Sequence, residues 1–278
     1  MAYAPTLTVT VDENPAPRCL VVFSSLADGT QTVNVQRVVE GRTFKVRGGV
    51  NLYAVGGASV MDYEVALGVP SSYRAEMVSA TGVSLGFTDA ASVTVDPGLP
   101  DTSYAWVSQP LNPSLAVRVP LDAGTADGMV NALPGDVFYA EGASVGTSIG
   151  SRRQGVSGMP LILSRLSFTD ADVFRGMFGD YVTDYPSTVL VRTVPPGRMP
   201  RVLFARVQQL SESVDYVNSR VTFALTVDEV APPYPGLVIP LLRRADIDAA
   251  YATRGDRSAA YATRLERDTD YSLAGLAG

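Results

Sequence analysis

The chain has 278 residues, 46% hydrophobic and 18% charged, with a net charge of −6 and no histidine. This is enough apolar material for packed cores, and at roughly 100–200 residues per domain it suggests two of them. The acidic balance argues against sequence-specific nucleic-acid binding, and the missing histidine excludes Ser-His-Asp and Cys-His catalysis and His-ligated zinc.

Cys19 is the single cysteine, so no intrachain disulfide framework or cysteine metal site is expected, and it reads as a small buried hydrophobe. Lys45 is the single lysine. Arginine in place of lysine suits fixed, bidentate contacts at interfaces, or simply reflects a GC-rich genome. The opening MAYAPTLTV lacks the basic and apolar regions of a signal peptide. Apolar runs such as Gly236 to Leu242 are far short of the roughly 20 residues that span a bilayer. The expectation is a chain folded in a cytoplasm, with no membrane partner and no cofactor.

Short alternating strands between turn residues fill the first third. LTVTVD (Leu7 to Asp12), RCLVVFSS, TQTVNVQRVV (Thr30 to Val39) and RTFKVRGG are punctuated by Pro15, Pro17, Asp28-Gly29 and Glu40-Gly41. That spacing predicts an antiparallel β-sandwich over 1–98. Within Val60 to Gly82, alternation predicts Tyr73, Ala75 and Met77 on an inner face, or Val78 after a one-residue slip, with Phe23 as a large core aromatic. The proline-rich stretch 99–113 reads as an interdomain linker, and Trp106 inside it as a plug between the domains.

A second β unit is predicted over 114–231. Its strand candidates are LAVRVPL (Leu115 to Leu121), DVFYAEG (Asp136 to Gly142), MPLILSRLSF (Met159 to Phe168), STVLVRTV (Ser187 to Val194), RVLFARVQQL (Arg201 to Leu210) and RVTFALTVDEV (Arg220 to Val230). One helix is signalled, with Thr169 as N-cap, Asp172 at capping-box spacing, and an apolar stripe of Val173, Phe174, Met177 and Phe178. Phe168 and Val173 are placed as a hydrophobic staple, and Gly179 as the C-terminal left-handed residue. Prolines 232, 233 and 235 then open a C-terminal segment, 232–278, in which AAYATR occurs at Ala249 and again at Ala259.

No catalytic constellation survives inspection. Gly146-Thr147-Ser148-Ile149-Gly150 fits the G-x-S-x-G elbow in letters alone, without a histidine or a strand-to-helix turn, and reads as a Gly/Ser loop. Asp170 and Asp172 are explained by the helix dipole, and the cluster they form with Asp180 and Asp184 lacks a calcium-loop pattern. Arg254-Gly255-Asp256 begins inside the repeated word and reads as chance. Arg152 and Arg153 read as solvated or at a subunit contact. In one continuous helix the ten-residue period sets Tyr251 and Tyr261 about 80° apart, so they form no single stripe. Tyr271 continues the spacing. A segment this short buries no core of its own. Its expected use is docking, with Tyr251, Tyr261 and Tyr271 as anchors and Arg254 and Arg264 beside them. The plainer alternative is a solvated tail.

Two resemblances follow. Val60 to Gly82, with Tyr73 opening a penultimate strand, resembles the fibronectin type III family. The order of that unit, the helix-bearing β unit from about Leu161 to Glu229, its LVR strand (Leu190 to Arg192) and the terminal AAYAT words resemble minor tail proteins of long-tailed phages of actinobacteria, of the distal-tail-protein type. The resemblance implies an all-β fold and a non-enzymatic structural protein of the virion tail tip, made in the host cytoplasm. It further implies a ring of copies, a hexamer or a trimer, between tail tube and tip, contacting tail-tube protein, tape measure and other tail-tip proteins, with DNA passing through the lumen. The alternative is a carbohydrate-binding module for the host surface, using Trp106 and exposed tyrosines.

Overall fold

The computed structural model describes residues 3–11, 16–179, 185–233, 247–248, 250–251, 253–261 and 263. Nine strands form the front unit: β1 (Thr6–Thr10), β2 (Arg18–Phe23), β3 (Thr30–Val39), β4 (Arg42–Lys45), β5 (Leu52–Tyr53), β6 (Ala58–Asp62), β7 (Pro70–Ser79), β8 (Ser84–Phe87) and β9 (Ala91–Thr94). One antiparallel sheet runs β1-β2-β6; the other runs β4-β3-β7-β8, with β5 also on β3 and β9 also on β7. Strict alternation in β2, β3 and β7 sends every second side chain into the space between the sheets. Phe23, Val33, Val35, Tyr73, Ala75 and Met77 meet there in one core. The inner face of β7 is therefore the one expected, without the slip to Val78.

The second unit begins earlier than the sequence suggests. Residues 104–113 are not a linker: β10 (Tyr104–Gln109) and the start of β11 (Asn112–Pro120) occupy them. Their prolines mislead because Pro110 and Pro113 flank a turn at which the pairing register shifts. Four long or central strands complete the main sheet: β16 (Met159–Leu166), β17 (Thr188–Arg192), β18 (Val202–Asp215) and β19 (Arg220–Glu229). The order is β11-β10-β17-β18-β19-β16. The sheet folds over until its edges meet, where Leu121 bridges Leu163. Ala105, Val117, Leu161, Val191, Leu203, Phe223 and Leu225 fill the enclosed core.

Helix α1 (Phe168–Gly176) packs on this core. Its N-cap is Ser167, not Thr169: the Ser167 hydroxyl accepts the Asp170 backbone N–H at 3.1 Å and donates to the Asp170 carboxylate at 2.7 Å. Serine and threonine are both good caps, and Ser167 takes the role because the backbone is still extended at that point. The expected staple does not form, since Phe168 is 42% exposed. Phe174 is fully buried, its ring 4.7 Å from that of Phe223 and 5.4 Å from that of Phe178. Gly179 takes the left-handed conformation expected of it. The chain is thus all-β with one packed helix. Phe174→Ala should lower unfolding free energy by about 3–5 kcal/mol, read from denaturant melts; an unchanged midpoint would place α1 outside the core.

Candidate assembly surface

The two units share a buried seam. Strands β10, β17 and β18 are covered on both faces: Ala105, Val107, Val191 and Leu203 point into the second core, while Trp106, Leu190, Val202 and Phe204 point towards the front unit. This is why STVLVRTV reads as a continuous apolar run rather than an alternation. Trp106 is 2% exposed and belongs to the front unit's core. It is the interdomain plug that was expected, carried by a strand. A buried indole offers no platform for sugar stacking, so the carbohydrate alternative loses the side chain on which it chiefly rested.

Beside Trp106 across the β10–β17 ladder lies Arg192, fully buried. Its Nη1 donates to the carbonyls of Pro17 at 2.7 Å and Val65 at 3.1 Å, both in the front unit. Behind these carbonyls is a buried charge network. Arg37 donates to both Asp62 oxygens at 2.6 and 2.7 Å, the Tyr73 hydroxyl donates to Asp62 at 2.7 Å, and Arg47 Nε donates to Glu64 at 2.6 Å. Burial pushes Arg37 down, but Asp62, Tyr73 and Glu64 together hold it above its ordinary range. Arg192 has no such bonded carboxylate, and burial pushes it down to about 10 despite the nearby Asp62. The thiol of Cys19, in the same core, is pushed up to about 12 by burial and by Asp62. It is an inert packing group.

A different surface stands away from the cores. Between β11 and β16 the chain makes β12 (Val130–Asn131), β13 (Gly135–Phe138), β14 (Thr147–Gly150) and β15 (Val156–Ser157). Strands β13 and β14 pair only with each other, as a ribbon. DVFYAEG is therefore not a core strand, and part of the expected Gly/Ser loop is β14. Leu133, Val137, Phe138, Tyr139, Val145 and Ile149 are each more than half exposed. The G-x-S-x-G letters fall in β14, and Gly146 has a packing reason: a Cβ there would collide with Val137 and the Tyr139 ring. Arg152 and Arg153 follow the ribbon, exposed. A second projection is the β18–β19 hairpin. Strand β17 pairs with β18 only as far as Arg206, so from Gln208 to Asp215 that edge has no strand partner among the described residues. Asp215 accepts the backbone N–H groups of Val217 and Asn218, fixing a tip that presents Tyr216 and Val217 at 81% and 93% exposure.

In the C-terminal segment the tyrosines do come together, contrary to the continuous-helix expectation. Helix α2 (Arg254–Ala260) is short, capped by Thr253 and Asp256 in a reciprocal capping box, and ends at Tyr261 in extended backbone. Tyr251 stands before that cap. The interruption brings the two rings to 5.8 Å, edge to face, with their hydroxyls 3.0 Å apart. Arg254 and Asp256 lie in the first turn of α2, which accounts for the Arg-Gly-Asp word. Tyr271, Arg264, Asp180 and Asp184 fall outside the described residues. Among the described residues no group of His, Cys, Asp or Glu is arranged to hold a metal ion, and no helix is long and apolar enough to cross a membrane.

No family model matches the chain, and no curated protein matches it either. The reading of function therefore rests on the residues themselves. The sequence reasoning missed Val137, Phe138, Tyr139 and Ile149 as surface residues, because apolar alternation at DVFYA carries the same signal as a half-buried strand. The only available clue was the glycine-rich, low-bulk partner strand opposite it.

Two outcomes test this description. Arg192→Ala should cost roughly 1–3 kcal/mol for each of the two buried carbonyls left without a donor; a two-step melt would mark the separation of the units, and an unchanged melt would make the seam dispensable. Removing residues 245–278 should leave the far-ultraviolet circular dichroism of both β units unchanged, whereas loss of the strand signal would make that segment part of the fold.

Proposed function

We propose that this protein is a non-enzymatic structural component that works by assembling with copies of itself, in the manner of a distal-tail-like minor tail protein in a phage tail tip. The observation that carries the reading is the β13–β14 ribbon. A lone two-stranded ribbon is marginal in water and needs a covering surface. Full coverage of its six large apolar side chains is worth roughly 1.5–3 kcal/mol each, enough to exceed the lower estimates of about 4 kcal/mol for the cost of association. The buried seam supports the reading too. Two rigidly joined units give a repeating contact a fixed base. Such a contact is heterologous, and heterologous contacts are satisfied when a ring closes. Six copies is the preferred number and three the alternative, around a lumen wide enough for DNA. A net charge of −6 suits a lining that does not hold nucleic acid. Tail-tube protein, tape measure and tip proteins are the neighbours on either side, and the C-terminal tyrosine pair is a further docking element.

The test is the oligomeric state. Light scattering and negative-stain microscopy of the full chain should give rings of one size. A chain in which residues 133–151 are replaced by a short Gly-Ser turn should keep its circular dichroism and remain monomeric. A full chain that stays monomeric at all concentrations, or a ribbon deletion that still forms rings, would overturn the reading.

A further inference from the structure

The ribbon leaves open which edges of neighbouring copies meet, and two unpaired edges of opposite charge answer that. The first is β4, the last strand of its sheet. It joins β3 through Glu40 and Gly41, both at positive φ (47° and 76°), in a two-residue loop flanked by the pair Val39 and Arg42. In such a hairpin the flanking pair exchanges both backbone hydrogen bonds, and the pairs alternate from there. The N–H and C=O groups of Thr43 and Lys45 are thereby turned away from β3. Among the described residues they meet no backbone partner. They face a cleft of about 500 Å³, whose apolar wall includes Phe44, Val202 and Phe204. Its rim is cationic. Arg42 is 58% exposed and makes a loose 3.5 Å contact with Glu229, and Lys45, the single lysine, is exposed with no ion pair among the described residues.

The second edge is Gln208 to Asp215 of β18. Among the described residues its free acid is Asp215, with Leu210 and Val214 as its larger apolar side chains; Glu212 on the same strand is already held by Arg175 of α1, at 2.9 and 2.5 Å. Asp215 is fully exposed, and its bonds from Asn218 hold its carboxyl below the usual range, so it stays ionised. Like β4, it presents backbone groups that meet no backbone partner among the described residues. Exposed, unpaired edges of this length are templates for another strand. Within one molecule they cannot meet. The β4 cleft is walled by Val202 and Phe204 at the start of β18, while the acidic edge lies at its far end.

We propose that the acidic edge of β18 in one copy adds as a strand beside β4 of the next copy, with Asp215 near Lys45. The contact is head-to-tail, so repetition either closes a ring or extends a filament. It rests on the self-assembly reading above and names its interface. The front unit then has a structural role in the assembly besides being displayed on it.

The test uses the full chain with Thr43→Cys and Ser213→Cys introduced together, both at exposed positions; Cys19 is buried and does not interfere. Mild oxidation should give a ladder of covalent oligomers ending at the size of the ring, while either single variant gives dimers at most. Lys45→Glu should raise the concentration for half-assembly at least tenfold at low salt, with the circular dichroism unchanged. Thr43→Pro, which removes one cleft-facing N–H without changing charge, should do the same. Wild-type rings with no ladder from the double variant, and normal assembly of Lys45→Glu, would overturn this interface while leaving self-assembly standing. A wild-type chain that never assembles would overturn both.

Discussion

One buried guanidinium ties this molecule together. Arg192 leaves the second unit and donates to two carbonyls of the front unit, in a region that also holds Arg37, Asp62, Glu64 and Arg47. Breaking such a network by removing one member costs far more than a surface pair would, because the remaining charges have no water to turn to. Around this polar centre the apolar seam closes, with Trp106 on one side and Val39, Leu190, Val202 and Phe204 on the other. The two β units therefore behave as one body. The β18–β19 hairpin and the β4 edge, which belong to the main sheets of the two units, are held at fixed relative positions.

Rigidity of this kind suits the assembly proposed above. The one thiol is buried, with its pKa raised. The ion pairs of the polar cluster lie within the front unit, and Arg192 reaches from the second unit to the carbonyls beside them. The exposed groups are apolar side chains and strand edges. They are liabilities in a monomer and contacts in an oligomer.

Much of the fold was legible in the sequence because it is written locally. Alternation at Tyr73, Ala75 and Met77 and the apolar stripe with Phe174 each sit within a few residues, where period alone decides the outcome. The buried charge network was not legible. Arg37, Asp62, Glu64 and Arg192 each look like surface charge in their own windows, and only the register of β3, β6 and β17 collects them. Trp106 was placed correctly between the units, yet its strand was hidden by the prolines around it. The ribbon was misread for the opposite reason. DVFYA has the pattern of a half-buried strand, yet Val137, Phe138 and Tyr139 are exposed. The tyrosine repeat failed through an assumption of helical continuity, which the Thr253 cap interrupts.

The central claim is that the β13–β14 ribbon is uncovered in the monomer and covered in the assembly. Hydrogen–deuterium exchange over residues 133–151, measured as a function of protein concentration, tests it directly. The account predicts fast exchange at low concentration and strong protection once oligomers form, while the strands around Arg192 stay protected throughout. Exchange in the ribbon that is equally fast at every concentration, with oligomers present, would contradict it.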